Sequence, residues 1–495
     1  MRSRAFYLTG TFLLLVVMLR GTGMADEYSV NDAAGLNSAI NSAENTVGIG
    51  DTINIASGTY TITSTLYIND STESSLALIG QGPGVTILDG SGTTQILRID
   101  TSGGAGPTSL IHIKDMTFQN GNAAAGSGGG VYVKTNGAAL LVDNVEFLKN
   151  SSGMSGGGLF YETQTGSSTV KSSLFDSNIA TGGAINAGGG LYEYSIVNSQ
   201  PFKLEDSTFV DNLASADGGG AHVNVQGIEV RRNIVRGNST TSGTRGGYWI
   251  ASKGNSVQIV NNLFDRNNAG GLAVSQFSGQ GEIHITNNSF YGNSSTGAGA
   301  GLNLDTGVDL TETWITNNIF YGNVSSNVAT DLWILNDSDF NNTGSPVSIL
   351  YNNFSAAAVF DTDDGNVTIA DNLNTDPLFV DAPNSDFQLS SASPCIDAGD
   401  STAMSETVDL AGSPRFVDDP LTADTGNSPG ATPVIDMGAL EFQADTSSGD
   451  GGGGGGGGGG CSTAGPTTGV PLLVDLFWIA MVMGILLLCR RKIKG

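Results

Sequence analysis

The sequence predicts an all-β protein built as a parallel β-helix, a solenoid whose successive coils stack along one axis. The main observation is a recurring unit, a run of alternating hydrophobic residues followed by Phe-x-x-Asn, whose aromatic residues are Phe147, Phe175, Phe209, Phe264, Phe290 and Phe320. Val235 takes the aromatic position in one unit, and the spacings run from 26 to 34 residues. A second observation is a glycine run in step with this unit, as at 128–130 and 188–190. One repeat of this length can hold three short strands and three bends.

Stacking explains the residue types. Coils of a solenoid lie about 4.8 Å apart, so equivalent side chains rest on one another. The phenylalanines are expected to form an inward column, and the motif asparagines a column of amide-to-amide hydrogen bonds that also tolerates the left-handed bend of a turn. A second asparagine column is expected at Asn233, Asn262, Asn288, Asn318 and Asn352. Propeller blades need units near 40 residues, and the leucine-rich repeat pattern is absent.

The amino-terminal residues predict export. Residues 1–25 contain two arginines, an apolar run and small residues up to Ala25, which predicts a signal peptide cleaved before Asp26. Residues 31–43 have the cap and apolar spacing of a short amphipathic helix. We expect this helix to cover the first coil, whose free strand edge would otherwise promote aggregation. The solenoid with its cap is assigned to residues 26–373.

Several segments resemble known families of bacterial surface proteins. The strand-like runs at 51–60, 76–90 and 111–118 resemble the opening of secreted right-handed parallel β-helices with the pectin lyase fold, and the Phe-x-x-Asn units resemble the repeats of polymorphic outer-membrane adhesins. Residues 374–442 contain NTDPLFVD at 374–381, SPCIDAG at 393–399 and IDMGALE at 435–441. This order resembles the choice-of-anchor Q domain. The resemblance implies display at a surface and no particular reaction.

The carboxyl-terminal segment predicts attachment. Residues 443–469 contain ten consecutive glycines at 451–460 and form a flexible linker. Residues 470–489 are apolar except for Asp475 and are long enough to cross a bilayer, and the basic residues 490–495 are expected in the cytoplasm. Together they resemble a bacterial sorting signal processed near Gly460 and Cys461; a retained membrane anchor is the alternative. The protein is therefore expected at the cell surface or outer membrane.

The composition limits the partners. The chain has 47 acidic and 20 basic residues, a net charge of −27. So acidic a protein is not expected to bind nucleic acid. A polysaccharide or a cell-surface protein is the expected partner, and the chain is expected to be a monomer. Only three cysteines occur, so no disulfide framework is available, and Cys395 is expected to be a buried thiol.

One charged patch is the candidate for chemistry. Alignment of the repeats places Arg236 beside Asp265, and Asp211 one coil before Gly237 with Arg266 one coil after. The patch would suit an acidic glycan or supply the base of a polysaccharide lyase. Alternatively, it is a set of salt bridges between coils, and this structural interpretation is favoured.

Aromatic residues are the candidates for binding. Tyr291 and Tyr321 occupy the same repeat position and should stack, and Tyr248 and Trp249 are expected nearby as further exposed rings. Such rings can bind sugars face-on, but an aromatic ladder also stabilises a solenoid.

One acidic turn is a candidate for calcium. Asp361, Asp363 and Asp364 surround a glycine bend, without the spacing of an EF-hand. No other cofactor is expected, because the three histidines do not share a spacing that would bind zinc. The preferred function is adhesion or binding of a glycan or protein; the alternative is a polysaccharide lyase or glycoside hydrolase of the β-helix class.

Overall fold

The structure is a computed structural model, and its described residues belong to one compact unit. They are residues 25–43, 50–69, 75–102, 110–182, 188–195, 201–276, 281–306, 312–326, 331–336, 346–355, 359–362, 367–430 and 432–443. They form an all-β parallel solenoid, which confirms the predicted architecture. The predicted signal peptide, linker, membrane segment and basic tail, with Gly460 and Cys461, lie outside the described residues. Within the described ranges, no helix is long and apolar enough to cross a membrane.

The coils contribute strands to four stacks, named here by number. Stack 1 contains Glu27–Val30, Asp51–Ile55, Ser75–Ile79, Leu110–Gln119, Ala139–Leu148, Ser168–Lys171, Phe202–Glu205, Ile228–Arg231, Val257–Val260, Ile283–Thr286, Thr313–Thr316, Val347–Leu350 and Val367–Ala370. Stack 2 contains Gly58–Thr61, Thr86–Asp89, Leu174–Asp176, Thr208–Val210, Ile234–Arg236, Leu263–Asp265, Ser289–Tyr291, Ile319–Tyr321 and Asn353–Phe354. The long strands Leu110–Gln119 and Ala139–Leu148 pair in both stacks, so the two form one 22-stranded sheet.

Stack 3 is an 11-stranded parallel sheet that follows the glycine runs. It contains Leu66–Ile68, Leu97–Asp100, Val131–Thr135, Leu159–Thr163, Leu191–Ser195, Ala221–Val225, Tyr248–Ser252, Leu272–Gln276, Leu302–Asp305, Leu332–Asn336 and Val359–Thr362. Stack 4 has two-residue strands, namely Asn122–Ala123, Ser151–Ser152, Ile179–Ala180, Leu213–Ala214 and Ser239–Thr240, followed by the separate pair Ser294–Ser295 and Val324–Ser325.

The first coil is covered by the predicted helix. This helix, Ala33–Ala43, contacts the strands Glu27–Val30, Asp51–Ile55 and Leu66–Ile68. Leu36 and Ile40 are each 1% exposed and belong to the main hydrophobic core. The helix therefore closes the apolar end of the solenoid beside an edge strand, as the sequence predicted.

The predicted phenylalanine column is present inside stack 2. Neighbouring rings stack with centroids 4.4–5.6 Å apart, for example 4.7 Å between Phe147 and Phe175 and 4.6 Å between Phe290 and Phe320. Where the repeat has Val235, the ring of Tyr248 enters from stack 3. It contacts Phe209 and Phe264 edge-on, at 5.1 and 5.7 Å. Tyr248 is 1% exposed, so the expectation of an exposed ring is corrected: the smaller Val235 leaves a space that Tyr248 fills.

Both predicted asparagine columns are also present. In the first, each Nδ2 donates to the Oδ1 of the next coil at 2.9–3.0 Å, through Asn150, Asn178, Asn212, Asn238, Asn267, Asn293 and Asn323. From Asn178 onwards, each Oδ1 also accepts the backbone N–H of the asparagine one coil earlier, as from Asn212 to Asn238 at 3.0 Å, and Asn150 Oδ1 accepts that of Gly121. The second column, from Asn233 to Asn352, has the same pattern and extends to Asn372. These bonds satisfy buried backbone groups at the bends.

The left-handed bend lies one residue earlier than expected. The residues with positive φ precede the asparagines of the columns, as in Ser177 (φ 55°), Asp211 (φ 53°) and Arg266 (φ 51°). The asparagines themselves are not among the residues with positive φ. The asparagine side chains therefore bridge the coils. The residue before each asparagine adopts the left-handed conformation, and its type varies from coil to coil.

The described residues between 374 and 443 form a region packed along the outside of the solenoid. It contains the antiparallel pair Phe379–Asp381 and Asp386–Leu389 and the short 3-10 helices Ala382–Asn384 and Ser401–Ala403. The side chains of Asn261, Asn287 and Asn317, at bends of three successive coils, donate to its backbone carbonyls at 2.8–3.0 Å. At its centre, fully buried Arg415 lies 3.3 Å from the Glu441 carboxylate.

Candidate functional site

The charged patch predicted from the repeats is assembled. The Nε of Arg236 lies 2.6 Å from Asp265 Oδ2, and the Nε of Arg266 lies 2.8 Å from Asp265 Oδ1. Asp265 is fully buried, and the hydrogen bond that Arg266 donates to Asp265 raises the pKa of Arg266. Asp211 lies outside this network, on the coil before Gly237, where partial burial and the charge of Asp176 raise the pKa of its carboxyl.

This geometry favours a structural role for the patch. A lyase base must give up its proton readily, and a raised pKa in Arg266 opposes that. Both oxygens of Asp265 are occupied by guanidinium groups. Arg266 also donates to the Pro383 carbonyl at 2.9 Å and to the Ser385 hydroxyl at 2.6 Å. The patch therefore connects two coils and holds the carboxyl-terminal region.

Tyr291 and Tyr321 stack as predicted, with ring centroids 6.4 Å apart. Tyr291 also contacts Phe379 and Phe387 of the carboxyl-terminal region, at 6.1 and 5.2 Å. The carboxyl-terminal region therefore covers part of the Tyr291 ring, which is only partly exposed. The sequence placed this tyrosine pair on the outer wall, but the part of that wall on which it lies is covered by the chain itself.

Tyr321 borders a cleft between the solenoid and the carboxyl-terminal region. The cleft encloses about 400 Å³ and is lined by Tyr321, Gly322, Ser355, Asn374, Thr375 and Asp376. Burial, together with Asp376, raises the pKa of the Tyr321 hydroxyl. The combination of one aromatic ring with amide, hydroxyl and carboxylate groups is compatible with a small polar ligand.

A longer aromatic surface lies on the outer face of stack 3. There, one side chain per coil forms what we name the outer aromatic column: Arg98, Tyr132, Phe160, Tyr192, His222 and Trp249. Each points outward because its neighbours along the strand, such as Val131 and Val133, are buried in the core. The next coil has Ala273 at this position, so the column ends at the indole of Trp249.

The column is closely stacked. Arg98 lies 3.9 Å from the Tyr132 ring, and the rings of Tyr132, Phe160 and Tyr192 follow at 4.9 and 5.2 Å. His222 meets Tyr192 edge-on at 5.0 Å and stacks on Trp249 at 4.0 Å. Because neighbours cover most ring faces, Tyr132 and Phe160 are only 8% exposed. Trp249 is partly exposed.

Several buried polar atoms at the Trp249 end have no hydrogen-bond partner among the described residues. They are both ring nitrogens of His222, Asn224 Oδ1, Trp249 Nε1 and Arg245 Nε. Arg245 also lies over the Trp249 ring, 4.8 Å from its centroid, and pairs with Asp217 at 2.8 Å. Burial, with a contribution from Arg245, lowers the pKa of His222 to about 3, so its ring is neutral. This end therefore combines unused donors with unused acceptors.

Sequence reasoning identified only part of this surface. It selected Trp249, but it missed the outward stacking of His222 and of the three aromatic residues before it. A usable signal was present, because each of these residues is the second in the strand that follows a glycine run. The predicted calcium residues Asp363 and Asp364 lie outside the described residues, as does the side chain of Asp361.

Comparisons with known proteins give little beyond the fold. No protein-family profile matches the chain, and no curated protein matches it. Among solved structures, it is similar to the PL6 family polysaccharide lyase Pedsa3628 from Pseudopedobacter saltans, at 14% sequence identity and a TM-score of 0.36. The match covers 70% of this chain and 92% of the other. Similarity at this level carries no argument about activity.

Proposed function

We propose that this protein is a glycan-binding protein without catalytic activity, and that it binds through the Trp249 end of the outer aromatic column. The observation that carries the proposal is the partly exposed indole of Trp249 at the end of the stacked column, underlain by buried polar atoms of His222, Asn224 and Arg245 that have no partner among the described residues. Sugars present an apolar face of C–H groups and a rim of hydroxyls, so their recognition needs an aromatic surface beside hydrogen-bonding groups.

The shape of the column supports an extended ligand. Six residues on successive coils span about 24 Å at the usual strand spacing. The rings present their edges along this length, and Lys253 lies 4.7 Å from the centroid of the neighbouring Tyr194 ring. A polysaccharide lying along the column would contact ring edges and cations, and would reach the partly exposed indole of Trp249 at one end.

Trp249→Ala tests the proposal on a glycan array. We expect binding to weaken about tenfold or more, equivalent to about 1.4 kcal/mol. The matched control is Trp314→Ala, because Trp314 stacks on His284 at 4.4 Å on the outer face of stack 1. Equal loss in both variants would contradict a specific site. Loss in Tyr321→Ala alone would place the ligand in the cleft.

The lyase alternative predicts an unsaturated product. We expect none when the protein is incubated with uronic-acid polymers and absorbance is followed, because Arg236 and Arg266 are both held in ion pairs with the buried carboxylate of Asp265. Arg236→Ala should instead lower the free energy of unfolding by about 2 kcal/mol, since one guanidinium remains on the buried carboxylate. Lys203→Ala, at an exposed pair with Glu229, should change it by less than about 1 kcal/mol. Product formation abolished by Arg236→Ala would establish the lyase.

The cellular setting is also a proposal. We propose a right-handed solenoid exported as a monomer and attached to the surface through residues 470–489, with the adhesin-like repeats outermost. The sequence patterns at 1–25, 374–442 and 443–495 support it. Amino-terminal sequencing of the exported protein should begin at Asp26.

A further inference from the structure

A group of three carboxylates lies in the carboxyl-terminal region, away from the outer aromatic column. Asp397, Asp418 and Asp424 each place a carboxylate oxygen within 4.8 Å of the other two. Asp418 and Asp424 are exposed, whereas Asp397 is fully buried. One carboxylate of the group is therefore inside the protein, and the other two are at its surface.

The buried member of the group has an unused oxygen. Asp397 Oδ2 accepts the backbone N–H of Asp419 at 3.3 Å, but the buried Asp397 Oδ1 has no hydrogen-bond partner within the part of the chain that the structure describes. A buried carboxylate oxygen without a partner is costly, and a bound cation would satisfy it. This orphaned atom is what distinguishes the group from an ordinary acidic surface.

The distances between the three carboxylates match those expected around a calcium ion. Calcium binds oxygen ligands at about 2.3–2.6 Å, so two ligands on opposite sides of the ion lie at most about 5 Å apart. Three carboxylate oxygens within 4.8 Å of one another fit around one such ion.

We propose that Asp397, Asp418 and Asp424 form a calcium site that fixes the carboxyl-terminal region to the solenoid. The backbone carbonyl of Asp397 accepts N–H groups of Thr425 and Gly426 at 2.9 and 3.1 Å, so the loop that carries Asp418 and Asp424 folds back on Asp397. Three residues further on, the Asp400 N–H donates to Asn317 of the solenoid at 2.7 Å. Calcium would hold the loop against this docked segment.

Isothermal titration of the chelator-treated full-length protein with calcium chloride tests the site. We expect saturable binding that Asp418→Asn with Asp424→Asn weakens about 100-fold or more, because two charged ligands are lost. Both substitutions are at exposed positions, and circular dichroism checks the fold. The matched control, Asp381→Asn with Asp386→Asn, removes two exposed charges elsewhere in the region and should leave the affinity unchanged.

Two further measurements make the result decisive. Limited proteolysis should cut the loop at 416–430 faster with chelator than with calcium in the wild type, and equally fast in Asp418→Asn with Asp424→Asn. The triple variant Asp361→Asn, Asp363→Asn and Asp364→Asn should keep the calcium binding. No binding in the wild type, binding unchanged in Asp418→Asn with Asp424→Asn, or binding lost only in the triple variant would overturn the proposal.

Discussion

At the scale of single residues, asparagine side chains form the hydrogen bonds that join neighbouring coils. Asn238 illustrates this: its Nδ2 donates to the Phe209 carbonyl and to Asn267 Oδ1, and its own Oδ1 accepts from Asn212. Each such side chain satisfies backbone groups of two coils in a place where water cannot reach. The hydrogen bonds therefore make the repeat spacing tolerant of insertions in the loops between the strands.

Asn238→Ala should lower the free energy of unfolding by about 3 kcal/mol. The Asn212 N–H and the Phe209 carbonyl would each lose a buried partner, at about 1–3 kcal/mol per group. Equilibrium urea unfolding measures the change. In the control Asn122→Ala, the amide that donates to Gly92 is at the surface, and a loss below about 1 kcal/mol is expected. Equal losses would show that the column does not stabilise the solenoid.

Glu193 gives the protein a pH dependence that the sequence did not reveal. Its side chain points into the core, where it accepts hydrogen bonds from Ser168 at 3.2 Å and Ser195 at 2.8 Å. Burial raises the pKa of the Glu193 carboxyl to about 8, although the two hydrogen bonds oppose the shift. The folded protein therefore keeps this proton across a range in which the unfolded chain loses it.

Glu193→Gln should remove this pH dependence. Because the folded state binds the proton and the unfolded state does not, stability from this group falls as pH rises from 4.5 to about 8. Glutamine keeps the acceptor oxygen and cannot ionise, so the variant should unfold at higher urea concentration than the wild type above pH 8. Below pH 4.5 the two should be nearly equal. A wild-type advantage above pH 8 would contradict the neutral carboxyl.

At the scale of elements, the glycine runs set how closely the coils approach. A Cβ at Gly129 would lie 2.1 Å from the Ser151 carbonyl oxygen and 2.7 Å from that of Gly157. Both contacts are with backbone of the next coil, which cannot move without breaking the sheet. The runs are therefore a requirement of packing between coils, and the first glycine of most of them, such as Gly128 (φ 69°), adopts the left-handed conformation.

Gly129→Ala should strongly destabilise the fold or prevent it from forming. The clash with two backbone oxygens exceeds what side-chain adjustment can relieve, so we expect a loss of several kcal/mol, on the order of other severe overpacking changes. Yield of soluble protein and thermal unfolding measure it. Gly126→Ala is the matched control in the same loop, because nothing lies within 4 Å of its Cβ. A stable Gly129→Ala protein would contradict the close approach.

At the scale of the whole molecule, other parts of the chain cover one end and one side of the solenoid. The amino-terminal helix covers the first coil, and the carboxyl-terminal region covers one lateral wall through Asn261, Asn287 and Asn317. The covered wall includes Arg266, which donates to Pro383 and Ser385, and Tyr291, which packs against Phe379 and Phe387. The outer face of stack 3 keeps partly exposed aromatic rings.

Removing the helical cap should cause association. Leu36→Asp with Ile40→Asp places two charges in the core end and should detach the helix, leaving the first strand edge and apolar residues exposed. Light scattering after size exclusion should show oligomers that increase with concentration. Asn37→Asp with Ser42→Asp adds the same charge at exposed positions of the helix and should remain monomeric. A monomeric core variant would show that the helix is not needed as a cap.

The sequence by itself determined the parallel solenoid, the phenylalanine and asparagine columns, the helical cap and the pairing of Arg236 with Asp265. It could do so because stacking makes each coil a constraint on the next, and a repeated contact leaves a repeated pattern. Only the tertiary structure decided which segments of the chain cover the lateral faces of the solenoid. Whether Tyr248 turns inward, whether Tyr291 is covered, and whether Asp397 meets Asp424 depend on contacts that occur once, between segments with no common period.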